Sequence, residues 1–218
     1  MTSAVARRQS VIDDIAAAAK LARRDPGEVT LIAVSKTRGA EAIEDLIGAG
    51  QRDFGESRVQ EALAKWRPLL DRYPDVTLHC VGRLQSNKVA EAVQLFSVIH
   101  SLDRASLFDA VVREAGKQDR RPAVYVQVNI GGEEQKGGCA IGEVGELVAA
   151  VRASPLPLAG LMAIPPLGVE PAPFFALLAE LARRHGVTGL SMGMSADFKS
   201  AVMLGATSVR VGTALFED

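Results

Sequence analysis

The sequence repeats one local pattern almost from end to end: a short apolar run rich in β-branched residues, then a longer segment with apolar residues at helical spacing. Runs of the first kind are typical of strands buried on both faces, and segments of the second kind are typical of amphipathic helices. The pattern predicts strands at 29–35, 52–55, 77–82, 98–101, 123–130, 156–163, 187–192 and 208–212. It predicts helices at 3–22, 40–49, 59–66, 87–95, 105–115, 143–153, 173–185 and 196–204.

This alternation favours a closed parallel barrel, because an open doubly wound sheet more often has about five to seven strands and a glycine-rich first turn. The turn at 36–39 reads Lys-Thr-Arg-Gly, which is not a Gly-x-Gly-x-x-Gly loop. We therefore predict an α/β fold, a single (β/α)8 TIM-type barrel domain over residues 1–218. The tail after Gly212 is short for a closing helix, so we expect the N-terminal helix to cover that part of the ring.

Bulk properties exclude several classes of protein. Lysine plus arginine (25) nearly balances aspartate plus glutamate (26), so no overall field would attract nucleic acid or an anionic membrane. No apolar run is long enough to span a bilayer, and Asp13 and Asp14 stand where a secretory signal would be apolar. Cys80 and Cys139 are far apart, and neither they nor the histidines have metal-ligand spacing, so we expect no disulfide and no metal site. We expect a cytoplasmic protein.

Lys36 follows directly after the first predicted strand. In a barrel of this kind, functional side chains project from the C-terminal ends of the strands, so Lys36 is expected at the barrel mouth. There we expect its amine to be partly desolvated, which would favour the uncharged, nucleophilic form. The alternative is an ordinary surface lysine at a strand end.

The seventh and eighth predicted strands end in a candidate phosphate site. The segment 191–195 joins a strand to the predicted helix 196–204, so backbone N–H groups and the Ser195 hydroxyl would face an anion. Gly212 and Thr213 close the eighth predicted strand, and barrels most often bind phosphate in the loops after the seventh and eighth strands. The alternative is that Ser195 only caps the helix, with the glycines serving tight turns.

Arg210 lies two residues before Gly212 and should therefore point into the barrel on the same face. A buried guanidinium needs a partner, which is either a carboxylate or a ring nitrogen of a ligand. A permanent cation beside a pyridine nitrogen keeps that nitrogen unprotonated, which makes the ring a poorer electron sink. The alternative is a structural ion pair with a carboxylate such as Asp197.

An ordered set of motifs carries a resemblance over nearly the whole chain: Ala-Val-Ser-Lys-Thr at 33–37, Phe-Gly-Glu at 54–56, Arg-Val-Gln-Glu at 58–61, Gly-Arg-Leu-Gln-Ser-Asn-Lys at 82–88, Gly-Leu-Met-Ala-Ile at 160–164, Ser-Met-Gly-Met-Ser at 191–195 and Val-Arg-Val-Gly-Thr at 209–213. The chain resembles the pyridoxal phosphate homeostasis protein family, also called proline synthase co-transcribed proteins. That family has the alanine racemase-like barrel, the type III pyridoxal phosphate fold, without a second β domain.

The resemblance implies a cofactor, pyridoxal 5′-phosphate (PLP), and a role for each matching residue. Lys36 would form the Schiff base with PLP, and Arg210 would face the pyridine nitrogen. The phosphate contacts would be Ser195, Gly212 and Thr213. Met162 and Met194 would line the ring pocket.

Two further positions are notable against the family pattern. Ser57 stands where the family usually has asparagine in a Gly-Glu-Asn-x-Val-Gln-Glu stretch, so a shorter hydroxyl would reach the cofactor only through a bridging water. Lys136, in the glycine-rich loop 131–138, matches a loop lysine that the family uses to handle cofactor outside the main site. The alternative for Lys136 is a solvated loop lysine.

The resemblance implies a protein of intracellular PLP homeostasis and cofactor supply, with no committed reaction and no residue assigned to catalysis. Its partners would be the small-molecule cofactor and PLP-dependent apoenzymes. One alternative is a PLP-dependent amino-acid racemase, which would need a second base, and only Tyr73 and Tyr125 could be its tyrosine. Another is a sugar-phosphate isomerase or aldolase that uses Lys36 without a cofactor. We expect a monomer, because the domain that drives racemase dimerisation is not predicted.

Overall fold

In the computed structural model of the chain, which describes residues 3–217, eight parallel strands close into a barrel in their sequence order. The ring closes because β1 pairs with β2 on one side and with β8 on the other, placing Ala33 opposite Phe54 and Thr30 opposite Ser208. The predicted (β/α)8 barrel is confirmed. The strands are β1 Thr30–Val34, β2 Asp53–Glu56, β3 Thr77–Cys80, β4 Val98–Leu102, β5 Ala123–Gln127, β6 Leu158–Met162, β7 Leu190–Met194 and β8 Ser208–Val211.

Helices lie between the strands and form the outer layer of the barrel. The N-terminal helix α1 begins where the Ser3 hydroxyl accepts a hydrogen bond from the Ala6 N–H at 3.2 Å. It packs against α2, α8 and the four-residue α9, so it covers the part of the ring that α9 is too short to close, as predicted. The helices are α1 Ala4–Leu21, α2 Ala40–Gly48, α3 Val59–Arg72, α4 Val89–Leu95, α5 Ala105–Gln118, α6 Val144–Arg152, α7 Ala172–Arg184, α8 Phe198–Met203 and α9 Thr213–Phe216.

Two helices differ from their predicted bounds. Helix α3 was predicted to end at residue 66, but it continues through Pro68 to Arg72, because Trp66 and Leu69 anchor its apolar face in the core and offset the lost backbone hydrogen bond. Helix α8 was predicted to begin at residue 196 and begins at Phe198, since the Asp197 carboxylate accepts a hydrogen bond from the Met194 N–H at 2.5 Å and forms a tight turn before the helix.

The core fills the barrel and the layer between barrel and helices. Phe54 on β2 and Trp66 on α3 are fully buried, with ring centroids 5.0 Å apart, so they join the second strand to its helix. The β7–β8 pairing shifts register between Ser191 and Met194, at the end of β7 that lies at the barrel mouth. Within residues 3–217, no helix is both long and apolar enough to cross a membrane.

Candidate cofactor site

Seven of the eight residues predicted to bind the cofactor line one cavity of about 530 Å³ at the barrel mouth. They come from the ends of β1, β2, β7 and β8, so residues that are up to 177 positions apart in the chain line one cavity. The seven are Lys36, Ser57, Met194, Ser195, Arg210, Gly212 and Thr213. The lining also includes the apolar side chains of Val34, Val81 and Ile164, and the residues Thr37, Arg38, Ala196 and Glu217.

Arg210 is buried in the cavity floor with 4% of its surface exposed. Its guanidinium donates one hydrogen bond to the Ser191 Oγ at 2.5 Å and another to the Ala163 carbonyl at 3.1 Å. Burial lowers the pKa of Arg210 to about 10, because desolvation disfavours the cation, while the charges of Asp197 and Tyr125 act in the opposite direction. Arg210 is thus a buried cation held mainly by neutral groups.

The alternative of a direct Arg210–Asp197 ion pair is wrong. Among residues 3–217, the Arg210 guanidinium hydrogen-bonds to the Ser191 hydroxyl and the Ala163 carbonyl, while Asp197 acts on it only as a more distant charge, because its carboxylate accepts the Met194 N–H. The buried guanidinium therefore retains capacity for a ligand acceptor on the cavity side.

The turn after β7 and the end of β8 meet at the same side of the cavity. The Ser195 Oγ accepts a hydrogen bond from the Gly212 N–H at 3.2 Å, and Asp197, not Ser195, is the N-cap of α8. The alternative in which Ser195 only caps that helix is therefore wrong. Gly193 allows this turn because its φ is +94°, and a Cβ there would lie 2.6 Å from the Ala201 Cβ.

These groups form a polar cluster suited to an anion. The Ser195 oxygen accepts the Gly212 N–H, which leaves the Ser195 hydroxyl proton to donate to an anion, and Thr213, exposed at the rim, contributes a second hydroxyl. Hydroxyls and backbone N–H groups are the donors with which barrels hold phosphate after the seventh and eighth strands.

Lys36 follows β1, which pairs with the β8 strand that carries Arg210, and it lines the same cavity, but it is an exposed residue. The expectation of a partly desolvated amine is therefore wrong for this structure. The difference arises because β1 ends at Val34, and a turn with a left-handed Thr37 (φ 64°) carries Lys36 beyond the buried strand. The backbone of the loop, and not side chains packed around it, therefore sets the position of the Lys36 amine.

A buried network that the sequence did not predict fixes the base of this loop. The Lys65 ammonium, on α3, donates to the carbonyls of Ser35 at 2.8 Å and Arg38 at 3.2 Å, on either side of Lys36. It also pairs with the Glu56 carboxylate at 2.6 Å, and that carboxylate is 1% exposed. Trp66 and Ser35 donate to the same carboxylate oxygen. No sequence signal distinguished Lys65 from the other charged residues of α3.

The two remaining predicted ring contacts differ in position. Met194 lines the cavity, but Met162 is fully buried at the end of β6 and lies outside the cavity lining, where Ile164 takes the place expected for it. Ser57 is half-buried and lines the main cavity as well as two neighbouring ones.

Lys136 lies in one of these neighbouring cavities, of about 320 Å³, which shares Ser57, Val81 and Ile164 with the main cavity. Its ammonium pairs with the Glu133 carboxylate at 2.6 Å and donates to the Pro165 carbonyl at 3.0 Å. Lys136 is therefore an anchored side chain and not the freely solvated loop lysine of the alternative interpretation.

Comparison with known proteins agrees with the barrel fold. The family described as alanine racemase, N-terminal domain, matches residues 10–218. The pyridoxal phosphate homeostasis protein of Pseudomonas aeruginosa is 42% identical over 211 residues, covering 91% of this chain and 88% of that protein. The one from Aquifex aeolicus is 39% identical over 226 residues, covering 99% of this chain and 98% of that protein.

The chain belongs to the pyridoxal phosphate homeostasis protein family. The solved structure of PipY from Synechococcus elongatus, described as having PLP bound, is 42% identical, has a TM-score of 0.80, and covers 93% of this chain and 99% of its own. Alanine racemase from Clostridium difficile has a TM-score of 0.68 at 13% identity, and only 56% of that chain is matched. The second likeness shows the shared barrel fold alone.

Proposed function

We propose that this chain binds pyridoxal 5′-phosphate at the barrel mouth, with Lys36 as the amine that forms the Schiff base, and serves PLP homeostasis and cofactor supply. The phosphate would lie on Ser195, Gly212 and Thr213, and the pyridine nitrogen would face Arg210. The relatives' names and the PipY structure support this proposal. When bound, PLP supplies an aldehyde that condenses with a primary amine and a ring that withdraws electrons.

The observation that carries the proposal is the placement of three different chemistries around one cavity. An amine, a hydroxyl and N–H cluster, and a buried guanidinium without a carboxylate partner line the same 530 Å³ space. These correspond to the aldehyde, phosphate and ring nitrogen of one small molecule. The residues present therefore fit the cofactor.

The exposed position of Lys36 is compatible with this chemistry. Its nitrogen would form a C=N bond with the aldehyde carbon and release one water, and an exposed loop amine can reach an incoming aldehyde without a buried pathway. Met194 and Ile164 would exclude water from one side of the ring, and Ser57 would reach the cofactor through a bridging water.

The racemase alternative needs a second base within hydrogen-bond reach of the reacting carbon. Tyr125 is buried below the cavity, with its hydroxyl 3.1 Å from the Ser208 Oγ, and Tyr73 caps the C-terminus of α3 on the outer layer. Neither tyrosine lines the cavity. This placement favours a carrier over a two-base racemase. We further propose PLP-dependent apoenzymes as the recipients of the cofactor, and a monomer as the working form.

The test is titration of the purified chain with PLP, followed by its visible absorption band, borohydride reduction and peptide mapping. We expect one adduct, on Lys36, that is abolished in Lys36→Ala and retained in the matched control Lys136→Ala. A colourless protein would favour the sugar-phosphate alternative, and an unchanged adduct in Lys36→Ala would overturn the assignment.

Two further measurements separate carrier from racemase. Hydrogen exchange at the α-carbon of alanine or serine in heavy water should not exceed the rate with free cofactor. Transfer of PLP from the loaded chain to a defined apoenzyme should be faster than from free cofactor at equal concentration. Exchange above the free-cofactor rate would instead support the racemase.

A further inference from the structure

A chain of hydrogen bonds runs through the barrel interior from Arg210 to the opposite end. The Arg210 Nη1 contacts the Ser191 Oγ at 2.5 Å, and the Ser191 Oγ lies 2.8 Å from the His100 Nδ1. The His100 Nε2 lies 2.9 Å from the His79 Nδ1, and the His79 Nε2 lies 3.1 Å from the Asp53 Oδ1. The chain therefore joins residues from β8, β7, β4, β3 and β2.

The two ends of this chain lie in different surroundings. Ser191 and His100 are fully buried, and Arg210 lines the cofactor cavity. Asp53 has 31% of its side chain exposed and lines a separate cavity of about 310 Å³ between α1 and the N-terminal ends of β1 and β2. The chain thus connects the cofactor cavity with a solvent-accessible carboxylate at the far end of the barrel.

When both histidines are neutral, the carboxylate at one end sets the direction of every hydrogen bond along the chain. A guanidinium only donates, so the Ser191 oxygen accepts from Arg210 and its hydroxyl is free to donate to the His100 Nδ1. A carboxylate only accepts, so the His79 Nε2–H donates to Asp53 and its Nδ1 accepts from the His100 Nε2–H. In this arrangement each histidine carries its single ring proton on Nε2.

We propose that Ser191, His100 and His79 are positioning residues that orient the Arg210 guanidinium toward the cofactor, and that Asp53 sets the direction of this chain from the opposite end of the barrel. The inference rests on the proposed function for its effect on the cofactor, but the hydrogen-bond direction itself is a property of the chain without cofactor.

Protonation of His79 would reverse the chain. His79 would then donate from Nδ1, His100 would donate from Nδ1 to Ser191, and the Ser191 oxygen would receive two donors while its own hydroxyl lost its acceptor. The groups that face His100 from other strands are His79, Arg210 and Tyr125, whose ring stacks on His100 at 4.4 Å. Two of these three are cationic or can become so, and they therefore oppose a positive charge on His100.

The first test uses the cofactor-free wild-type chain. With ¹⁵N-labelled histidine at pH 7.5, we expect NMR to show His79 and His100 as Nε2–H tautomers. Asp53→Ala should lower the Nε2–H fraction of His79, while Tyr125→Phe, which keeps the stacked ring and loses only the bond to Ser208, should not. Nδ1–H tautomers in the wild type would overturn the proposal.

The second test is a double-mutant cycle on the loaded chain, read from the ¹⁵N shift of labelled PLP ring nitrogen against pH. We expect Asp53→Ala to raise the protonation midpoint of that nitrogen by about 0.5 pH unit or more, because Arg210 is less well directed. In a Ser191→Ala background, Asp53→Ala should add no further shift. An equal shift in both backgrounds, or none in either, would overturn the coupling. Failure to bind PLP at all would contradict the proposed function and leave the tautomer result standing.

Discussion

The two sides of the cofactor cavity are built differently. On the arginine wall, formed by Arg210, Ser195 and Gly212, the groups are buried or half-buried and held by hydrogen bonds to neighbouring strands. On the lysine wall, formed by Lys36 and Thr37, the residues are exposed, and only the base of their loop is anchored, by Lys65. The arginine wall can recognise a ligand with little rearrangement, whereas the lysine wall leaves its amine free to reach one.

The largest effect should come from the anchor beneath the lysine wall. Lys65→Met removes the partner of the buried Glu56 carboxylate and the donor to Ser35 and Arg38. Leaving that carboxylate buried and unpaired should lower the free energy of unfolding by about 3–5 kcal/mol. Denaturant unfolding monitored by fluorescence of Trp66, which also contacts Glu56, measures the change directly.

The matched control is the double variant Lys65→Met with Glu56→Gln. The glutamine keeps an oxygen for the Trp66 N–H and the Ser35 hydroxyl but carries no charge, so it should recover a large part of the lost stability. If the double variant were no more stable than Lys65→Met alone, the ion pair would not be the source of the loss.

A smaller effect, expected below neutral pH, tests the arginine wall. Burial, together with His79 and Arg210, holds the pKa of His100 well below its ordinary value near 6.5. The unfolded chain therefore binds a proton that the folded chain does not, and stability falls as the pH drops below about 6.5, by about 1.4 kcal/mol per pH unit for this one group. Unfolding free energies between about pH 6.5 and 5, above the range where most carboxylates titrate, measure the slope.

The control for this pH dependence of stability is the variant His100→Gln. That variant loses two hydrogen bonds of the buried chain and is less stable at every pH, so only the slopes are compared. We expect a flatter dependence in the variant. Equal slopes would mean that His100 is not the group whose protonation opposes folding.

The sequence predicted the barrel and most of the cavity because both follow from local rules. The period of each segment identified the strands, and side-chain alternation from Gly212 directed Arg210 inward. The strand predicted to end at residue 163 ends at Met162, which is fully buried and does not line the cavity, whereas Ile164, two residues further along, does.

The partners of the buried groups could not be predicted in the same way. His100 contacts Ser191 across 91 positions of sequence, and Lys65 contacts the Lys36 loop from a helix about thirty positions away. Such pairs depend on strand register and on the tilt of the barrel, which no single segment encodes. The contact between the two histidines was not predicted, because only their spacing along the chain was available.

The smallest effect concerns Lys36 itself and gives the sharpest contrast between the two walls. In the absence of cofactor, Lys36→Ala should change the free energy of unfolding by less than about 0.5 kcal/mol, because the side chain is exposed and makes no hydrogen bond or ion pair to residues 3–217.

With PLP at about one hundred times the dissociation constant, the free energy of unfolding of the wild type should rise by about 2.7 kcal/mol, while that of the variant, which lacks the covalent link, should rise by less. Thermal unfolding with and without PLP measures both quantities. A variant that was destabilised without cofactor, yet stabilised by PLP as much as the wild type, would assign Lys36 to the fold and not to the cofactor.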